Sequence, residues 1–305
     1  MARRVTLRYA AIILCAICLI YVFRCRRFPV DGNTKDGKLH IAPIMLATDC
    51  EIFHLLTMFF NGYVWHGFEN YTLRDLNERE KEFLFTLQLN LNHSCVKKVH
   101  LFYYTLADLV TINESNLTNR HKLVLVQHTR LLHMSDFFLY ASKNLVDRTV
   151  IAANSDIVLG EGLQFLDIDK MKRQKIMYSL SRFETDCNTT AKPVKNACSL
   201  HGYEKVGTHD THIFSLGSSL NNTLLQQLDF PINMRFAGNG LIKVMRKTFN
   251  FIVENPCLTI KTYHTHCSPV VASRGNSYSL LSLGWSKHDL YRAGRARPTS
   301  LEKIL

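Results

Sequence analysis

Internal repeats and low-complexity tracts are absent from this chain of 305 residues. Its length therefore allows one large domain or two modest ones, with a core that does not depend on disulfides. No basic–aromatic repeat or nucleic-acid-binding motif occurs either, although the formal net charge is +12. Much of that charge flanks one apolar run near the N-terminus, at Arg3, Arg4, Arg8, Arg24, Arg26 and Arg27. The charge therefore does not indicate a nucleic-acid partner.

No CxxC pair occurs among the six cysteines from Cys50 onward, out of nine in the chain. Three of the nine lie in or beside the apolar run, and the other six form an even set. Such a set fits three disulfides in an oxidising compartment better than a zinc site, with buried free thiols as the alternative. The pairs that we expect, two of them closing short loops, are Cys187–Cys198, Cys257–Cys267 and, as the remainder, Cys50–Cys95.

The apolar run "YAAIILCAICLIYVF" covers residues 9–23. It is a little shorter than the ~17–25 residues of a usual membrane span, but Val5 to Leu7 can extend it. A cleaved signal peptide is the alternative. The sequence "RCRR" follows the run directly and offers no good cleavage site, which favours an uncleaved signal anchor. The basic flanks are balanced and do not set the orientation.

The residues after the run favour a lumenal orientation. Six Asn-x-Ser/Thr sequons, which are acceptors for N-glycosylation, support a lumenal domain, as does the even cysteine set. They begin at Asn70, Asn92, Asn113, Asn116, Asn188 and Asn221. We therefore expect a single-pass type II protein of the Golgi or endoplasmic reticulum. Its expected parts are a cytosolic tail (1–8), an anchor (9–23), a stem (24–39), a lumenal domain (40–285) and a basic tail (286–305).

From His40 onward, short apolar runs alternate with amphipathic stretches. This alternation predicts an α/β sandwich with a mainly parallel sheet. The predicted helices are 51–64, 73–93, 134–145 (with Ser135 as its cap) and the start of 241–253. The predicted strands are 41–48, 96–105, 121–127, 148–159, 174–184, 211–216, the end of 241–253 and part of 257–268.

A polar triplet, Asn154-Ser155-Asp156, ends the most hydrophobic strand. Ligands of parallel α/β sheets bind at the carboxyl ends of the strands. A carboxylate there, with a polar residue two positions earlier, suits Mg²⁺ or Mn²⁺, which prefer oxygen ligands. On spacing alone, an ordinary strand-to-turn junction capped by aspartate is the favoured interpretation of the triplet. The similar pattern at Asp167 and Asp169 follows no strand and is interpreted as solvated surface.

Three further signals follow along the chain. In a strand, His264 and His266 share one face, where they can bind a metal or a diphosphate, although a structural pair is the simpler interpretation. Asp210 follows a glycine turn and is a candidate general base, with capping as the alternative. Arg182 ends another strand, where it suits a phosphate or forms a surface ion pair.

In this order, the motifs resemble those of the GT-A-type glycosyltransferase-like proteins, the nucleotide-diphospho-sugar transferases. The resemblance runs over residues 41–270, through "NSDIVL", "YSLSRFE", "GTHDTHIFSL" and "NPCLTIKTYHTHCS". It implies a metal-dependent transfer of sugar from a nucleotide-sugar donor to a glycan or protein hydroxyl, with Mn²⁺ or Mg²⁺ as cofactor. The roles it implies are metal binding by Asp156 and His266, donor binding by Asn154, Arg182 and His264, and general-base catalysis by Asp210.

The chain departs from the family pattern at two positions. Phe183 replaces the tryptophan expected after Arg182, which is a mild change. Gly238 stands where a carboxylate is expected before Asn239, and this departure bears on acceptor binding and on activity itself. A catalytically inactive lumenal protein of the same fold, acting as a binding or accessory subunit, is therefore the alternative. A homodimer is a further expectation. A lumenal sulfotransferase shares the type II layout but needs a phosphate-binding loop near the start of its domain, and "IAPIMLATDCE" contains no such loop.

Overall fold

The structure is a computed structural model. It describes residues 50–60, 71–185, 193–196, 198, 208–270, 280–281, 283–288, 290 and 294–301. The predicted tail, anchor, stem and first strand lie outside these residues, as do Gly207, Cys187 and the sequons at Asn70 and Asn188. In the parts of the chain that the structure describes, no helix is both long and apolar enough to cross a membrane.

The described residues form a mixed α/β fold with two sheets. The strands are β1 (Phe53–Met58), β2 (Val96–Tyr103), β3 (Leu123–Gln127), β4 (Thr149–Ala153), β5 (Ile157–Leu159), β6 (Ile176–Leu180), β7 (Phe183–Thr185), β8 (Pro193–Asn196), β9 (Thr211–Ser215), β10 (Ile252–Glu254) and β11 (Thr262–His264). The α-helices are α1 (Leu73–Asn92), α2 (Leu106–Glu114), α3 (Met134–Asn144), α4 (Ile168–Arg173), α5 (Asn222–Gln226) and α6 (Ala237–Lys247).

The larger sheet has seven strands in the order β10-β6-β9-β4-β1-β2-β3. Neighbouring strands run parallel, except that β9 is antiparallel to both β4 and β6. The predicted mainly parallel sheet is thus confirmed, with one reversed strand inside it. Helices return the chain from one parallel strand to the next, so the carboxyl ends of β4, β1 and β2 meet at one edge of the sheet.

The smaller sheet has four strands in the order β5-β11-β7-β8. It takes up the second halves of two segments that were each predicted as one strand. Residues 148–159 form β4, then a turn, then β5, and residues 174–184 form β6 and the start of β7. Each break falls at polar residues that leave the larger sheet at its carboxyl edge, and both predictions of a single strand are wrong for this reason.

The prediction of a helix over residues 51–64 is wrong, because the described part of this segment contains strand β1 instead. All six side chains of β1 are buried, with β2 on one side and β4 on the other. A strand covered on both faces is apolar throughout, and a short continuous apolar run cannot be distinguished from a buried helix by its periodicity. The predicted cap of α3 is also displaced, since His133 is the N-cap and Ser135 lies within the helix.

Disulfides confirm one predicted pair and correct the others. Cys50 is bonded to Cys95, as expected. Cys198 is bonded to Cys257, which contradicts both short-loop pairings. The reason is the fold, because Cys198 follows β8 and Cys257 precedes β11, and both strands belong to the smaller sheet. Cys267 is also disulfide-bonded.

Candidate functional site

The candidate site residues lie where the larger sheet passes into the smaller one. Asn154 and Asp156 stand between β4 and β5, and Arg182 stands between β6 and β7. Asp210 immediately precedes β9. Since β9 is antiparallel to β4, with Thr211 opposite Ala153, the beginning of β9 lies at the carboxyl edge of β4. Topology therefore brings these residues together from distant parts of the sequence.

Asp156 is the centre of a buried polar cluster. Its Oδ2 accepts a hydrogen bond from Nη2 of Arg79 at 2.5 Å and lies 3.1 Å from Nε2 of His264. These two cations hold the pKa of Asp156 well below its ordinary value, against the opposing effect of burial. The other carboxylate oxygen, Oδ1, is buried and accepts no hydrogen bond from the described residues. One lone-pair-bearing atom is thus left available inside the cluster.

His264 lies between two carboxylates. Its Nδ1 is 2.6 Å from Oε2 of Glu184, and its Nε2 faces Asp156. Burial by itself lowers the pKa of His264, but the Asp156 carboxylate and the Glu184 hydrogen bond outweigh it and raise the pKa to about 9. Burial by itself raises the pKa of Glu184, but the hydrogen bond with His264 and the charge of Arg182 outweigh it and lower the pKa to about 2.

His266 completes a set of three groups that could hold a metal ion. One nitrogen or oxygen atom from each of Asp156, His264 and His266 lies within 4.8 Å of the others. The His264 and His266 rings are 5.4 Å apart between centroids. Burial, together with the positive charge of Arg79, lowers the pKa of His266, so its imidazole is neutral near pH 7. A neutral imidazole is the form that binds a metal.

This donor set fits a divalent cation. The buried Oδ1 of Asp156 supplies an oxygen ligand, and the neutral imidazole of His266 supplies a nitrogen ligand. His264 would supply a second nitrogen ligand on releasing its Nε2 proton as the cation binds. Glu184 behind His264 forms the carboxylate–histidine pair that orients metal-binding imidazoles in proteins. Imidazole ligands suit transition metals better than Mg²⁺, which prefers oxygen ligands.

Arg182 and Asp210 form a second group beside the first. The Arg182 guanidinium donates through Nε to Glu184 at 2.8 Å and through Nη1 to Oδ2 of Asp210. Nδ2 of Asn154 donates to Oδ1 of Asp210 at 3.2 Å. These contacts raise the pKa of Arg182 despite its burial. Asn154, which the sequence places in the same motif as Asp156, thus contacts Asp210 rather than Asp156.

Helix α1 supplies site residues that the sequence interpretation missed. Arg79, only 8% exposed, binds Asp156 and also donates to the carbonyl oxygen of Thr265 at 3.2 Å. Its guanidinium stacks on the Phe83 ring, 4.5 Å from the ring centroid. Arg79 stands one turn before Phe83 on the predicted apolar face of this helix, and an arginine on such a face is the signal that could have identified it.

A second residue of α1, Glu82, fixes the segment that follows β11. Its Oε1 accepts hydrogen bonds from the backbone amides of Cys267, at 2.8 Å, and Ser268. Its Oε2 is paired with Arg79 at 2.7 Å. The segment that carries His266 is therefore anchored to α1 by charge-assisted hydrogen bonds.

Gly238, at the start of α6, has a structural explanation. A Cβ atom at this position would lie 2.0 Å from the carbonyl oxygen of His209, so no other residue fits without moving the backbone. The neighbouring Asn239 donates to the carbonyl oxygens of Leu290 and Gly294 and has a structural role. Position 238 therefore lacks the carboxylate that the family resemblance implies, and the close contact between the start of α6 and the backbone of His209 requires glycine there.

No protein-family model and no curated protein matches this sequence. Among solved structures, one described as a nucleotide-diphospho-sugar transferase from Desulfovibrio desulfuricans G20 is similar, with 13% identity and a TM-score of 0.41. The alignment covers 67% of this chain and 78% of that one.

S. aureus TarS 1–349 in complex with UDP-GlcNAc is also similar, at 12% identity and a TM-score of 0.39, over 73% of this chain and 61% of that one. A second structure of TarS 1–349 gives 12% identity and a TM-score of 0.38, over 70% and 60%. Scores at this level do not assign a family. What is established is a mixed α/β fold with a mainly parallel central sheet and a polar cluster at its carboxyl edge.

Proposed function

We propose that this protein binds a divalent cation through Asp156, His264 and His266 and uses it to bind a nucleotide-sugar donor, as a glycosyltransferase. The observation that carries the proposal is the buried Oδ1 of Asp156, without a partner in the described residues, beside two imidazoles at the carboxyl edge of the sheet. A cation bound there supplies positive charge that stabilises a diphosphate leaving group.

The protein's own side chains have separate tasks in this proposal. Arg79 shares the Asp156 carboxylate and fixes its orientation, leaving Oδ1 as the ligand atom. Glu184 orients the His264 imidazole through Nδ1. Arg182, held by Glu184 and Asp210, presents a guanidinium of the type that binds phosphate oxygens in pairs.

Asp210 is the candidate base, and its contacts set a condition on that role. Both oxygens of its carboxylate accept a hydrogen bond, Oδ2 from Arg182 and Oδ1 from Asn154. If Arg182 turns to a phosphate of the donor, Oδ2 is left for an acceptor hydroxyl. Donor binding would thus precede proton transfer from that hydroxyl to Asp210.

The proposal extends to the location of the domain, in the lumen of the Golgi or endoplasmic reticulum behind a type II anchor at residues 9–23. The Cys50–Cys95 and Cys198–Cys257 disulfides support an oxidising compartment. Partners there are a nucleotide-sugar donor and a glycan or glycoprotein acceptor.

A test of this function uses the purified full-length chain and a panel of sugar nucleotides with Mn²⁺. We expect one donor to be hydrolysed or transferred, and the activity to disappear on adding a chelator and in Asp156→Asn. Exposed Asp169, in the similar Asp167–Asp169 pattern, gives the matched control Asp169→Asn, which should keep full activity. A wild-type rate in Asp156→Asn would contradict the assignment.

The second candidate function is a non-catalytic subunit that binds a nucleotide or glycan. Gly238 favours it, because the carboxylate expected at that position is absent. Thermal stabilisation by UDP or GDP with Mn²⁺, together with no turnover of any donor in the panel, is the result that distinguishes this alternative from the enzyme.

A further inference from the structure

Four exposed asparagines share a sequence motif. Asn92, Asn113, Asn116 and Asn221 each begin an Asn-x-Ser/Thr sequon, and the side chain of each is exposed. The motif is the acceptor sequence for N-linked glycosylation, which requires an accessible side-chain amide nitrogen. Exposure alone is common among asparagines, so the hydrogen bonds of these side chains are the more informative property.

Three of the four use only the oxygen of the side-chain amide. Oδ1 of Asn92 accepts hydrogen bonds from Gln88, Thr118 and Asn119, each at 2.9 Å. Oδ1 of Asn113 accepts one from Arg120 at 3.0 Å. Nδ2 of Asn92 and of Asn113 donates to no residue in the described part of the chain.

Asn221 follows the same rule, since its Oδ1 accepts from the backbone amide of Leu224 at 2.9 Å and so caps helix α5. The side chain of Asn116 makes no hydrogen bond to a described residue. An N-linked sugar replaces one hydrogen on Nδ2 and leaves Oδ1 unchanged. All the observed contacts of the four asparagines can therefore persist after glycosylation.

Six described asparagines outside the motif instead donate from Nδ2, and three of them are buried and donate to backbone carbonyls of other elements. Nδ2 of Asn90 donates to Ile157, for example, and Nδ2 of Asn255 donates to Ala296. The described asparagines that donate in this way are Asn90, Asn119, Asn144, Asn154, Asn239 and Asn255. The amide nitrogens of the two groups are thus used in different ways.

The four sequons also share a location. Asn92 ends α1 just before β2, and Asn113 and Asn116 lie at the end of α2, before β3. These points are at the amino-terminal edge of the parallel strands. Asn221 follows β9, whose last residue, Ser215, pairs with Thr149 at the start of β4. All four therefore lie on the side of the larger sheet opposite Asp156.

We infer that Asn92, Asn113, Asn116 and Asn221 are N-glycosylated and that the amino-terminal edge of the sheet is a glycan-covered surface. In the reaction, Nδ2 forms a bond to the anomeric carbon of an oligosaccharide, the bond from that carbon to a lipid diphosphate breaks, and the amide loses one proton. The lipid-linked oligosaccharide and its transferase belong to the secretory pathway. None of the described sequons lies at the carboxyl edge that carries Asp156.

The experiment is site mapping on the full-length chain expressed in animal cells. Peptide N-glycosidase in H₂¹⁸O converts each glycosylated asparagine to ¹⁸O-labelled aspartate, which mass spectrometry locates. We expect the label at Asn92, Asn113, Asn116 and Asn221. Asn119, exposed in the same region but outside any sequon, is the internal control and should stay unlabelled.

Two substitutions check the assignment without touching the asparagines that make structural contacts. Ser94→Ala and Thr223→Ala remove the hydroxyl residue of the sequons at Asn92 and Asn221, and both positions are exposed. Each variant should lose one step of electrophoretic mobility shift that the glycosidase otherwise removes. An unlabelled digest, or label confined to Asn70 and Asn188, overturns the inference, and so does an unchanged shift in both variants.

Discussion

Two sets of buried histidines in this protein have opposite charge states. His264, at the candidate site, is 7% exposed, and the core residues His54 and His100 are 9% and 5% exposed. Although the three rings are similarly exposed, the pKa of His264 is raised to about 9, whereas desolvation lowers those of His54 and His100 to about 4. Burial alone therefore does not explain the difference.

The neighbours of the rings explain it. His264 lies between the Asp156 and Glu184 carboxylates. His54 instead faces His100 at 2.9 Å, and His100 faces the hydroxyl of Tyr140 at 2.9 Å, so no carboxylate compensates for desolvation. A buried ring beside carboxylates is a candidate for function, and a buried ring with neutral partners is part of the core.

The largest effect is expected from removing the charge at the centre of the site. Asp156→Asn leaves Arg79 and His264 buried without their shared anion. Breaking a buried ion pair in this way typically costs about 3–5 kcal/mol. Urea unfolding of the variant with its disulfides intact should show a loss of this size. A loss below about 1 kcal/mol would mean that the cluster is solvated and the contrast with the core is overstated.

Acid should destabilise the protein through the core histidines. The pKa values of His54, His100 and His209 are lowered to about 4 by burial, and that of His212 to about 3. The unfolded chain binds protons to these rings near pH 6.5, whereas the native state does not. The free energy of unfolding therefore falls as the pH falls from about 6.5 to 4, by several kcal/mol as an order of magnitude.

The free energy of unfolding measured at pH values between 7 and 4 checks this prediction. His212→Asn keeps a polar partner for Ser179 and should show a smaller slope against pH in that range. His264 adds nothing to the acid loss, because its raised pKa means that its contribution is fully present below pH 6.5. A slope in His212→Asn equal to that of the wild type would contradict the assignment.

A smaller effect is expected at Glu184. Glu184→Gln keeps the size of the side chain and removes the charge that orients the His264 ring. Residues behind a metal ligand typically contribute 10–100-fold in metal affinity. Isothermal titration with Mn²⁺ should therefore give a dissociation constant raised by about that factor. An unchanged constant would indicate that Glu184 belongs only to the ion pair with Arg182.

The smallest effect is expected in the core set. Tyr140→Phe removes the hydroxyl beside His100 and should cost about 1 kcal/mol of stability, the usual contribution of one hydrogen bond. Binding of Mn²⁺ should be unchanged, because His54, His100 and Tyr140 bond to one another and not to Asp156. Weaker Mn²⁺ binding in Tyr140→Phe would show that the two histidine sets are coupled.

Much of the site could be predicted from the sequence. The position of Asp156 after a hydrophobic strand and the shared strand face of His264 and His266 indicate these residues, and the structure brings their ligand atoms together. Arg79 and Glu184 could not be chosen in the same way. Arg79 comes from a helix far away in the sequence, and Glu184 becomes adjacent to His264 only because β7 pairs with β11.

The fold was predictable to a similar depth. The α/β class and helix α1 follow from hydrophobic periodicity. Strand β1 does not, since a strand buried on both faces carries no alternation. The Cys198–Cys257 disulfide was missed because the preference for short loops ignores which strands share a sheet. In each case the missing information is a contact between segments distant in sequence.

The most direct test of the cation site is electron paramagnetic resonance of Mn²⁺ titrated into the full-length chain. The signal of free Mn²⁺ should fall as one ion binds per chain, both in the wild type and in Asp169→Asn. In Asp156→Asn the free-ion signal should remain. Adding UDP should broaden the signal of bound Mn²⁺ further in the wild type and in Asp169→Asn, but not in Asp156→Asn. Equal binding by Asp156→Asn and the wild type, or no binding by either, would contradict the cation site at Asp156.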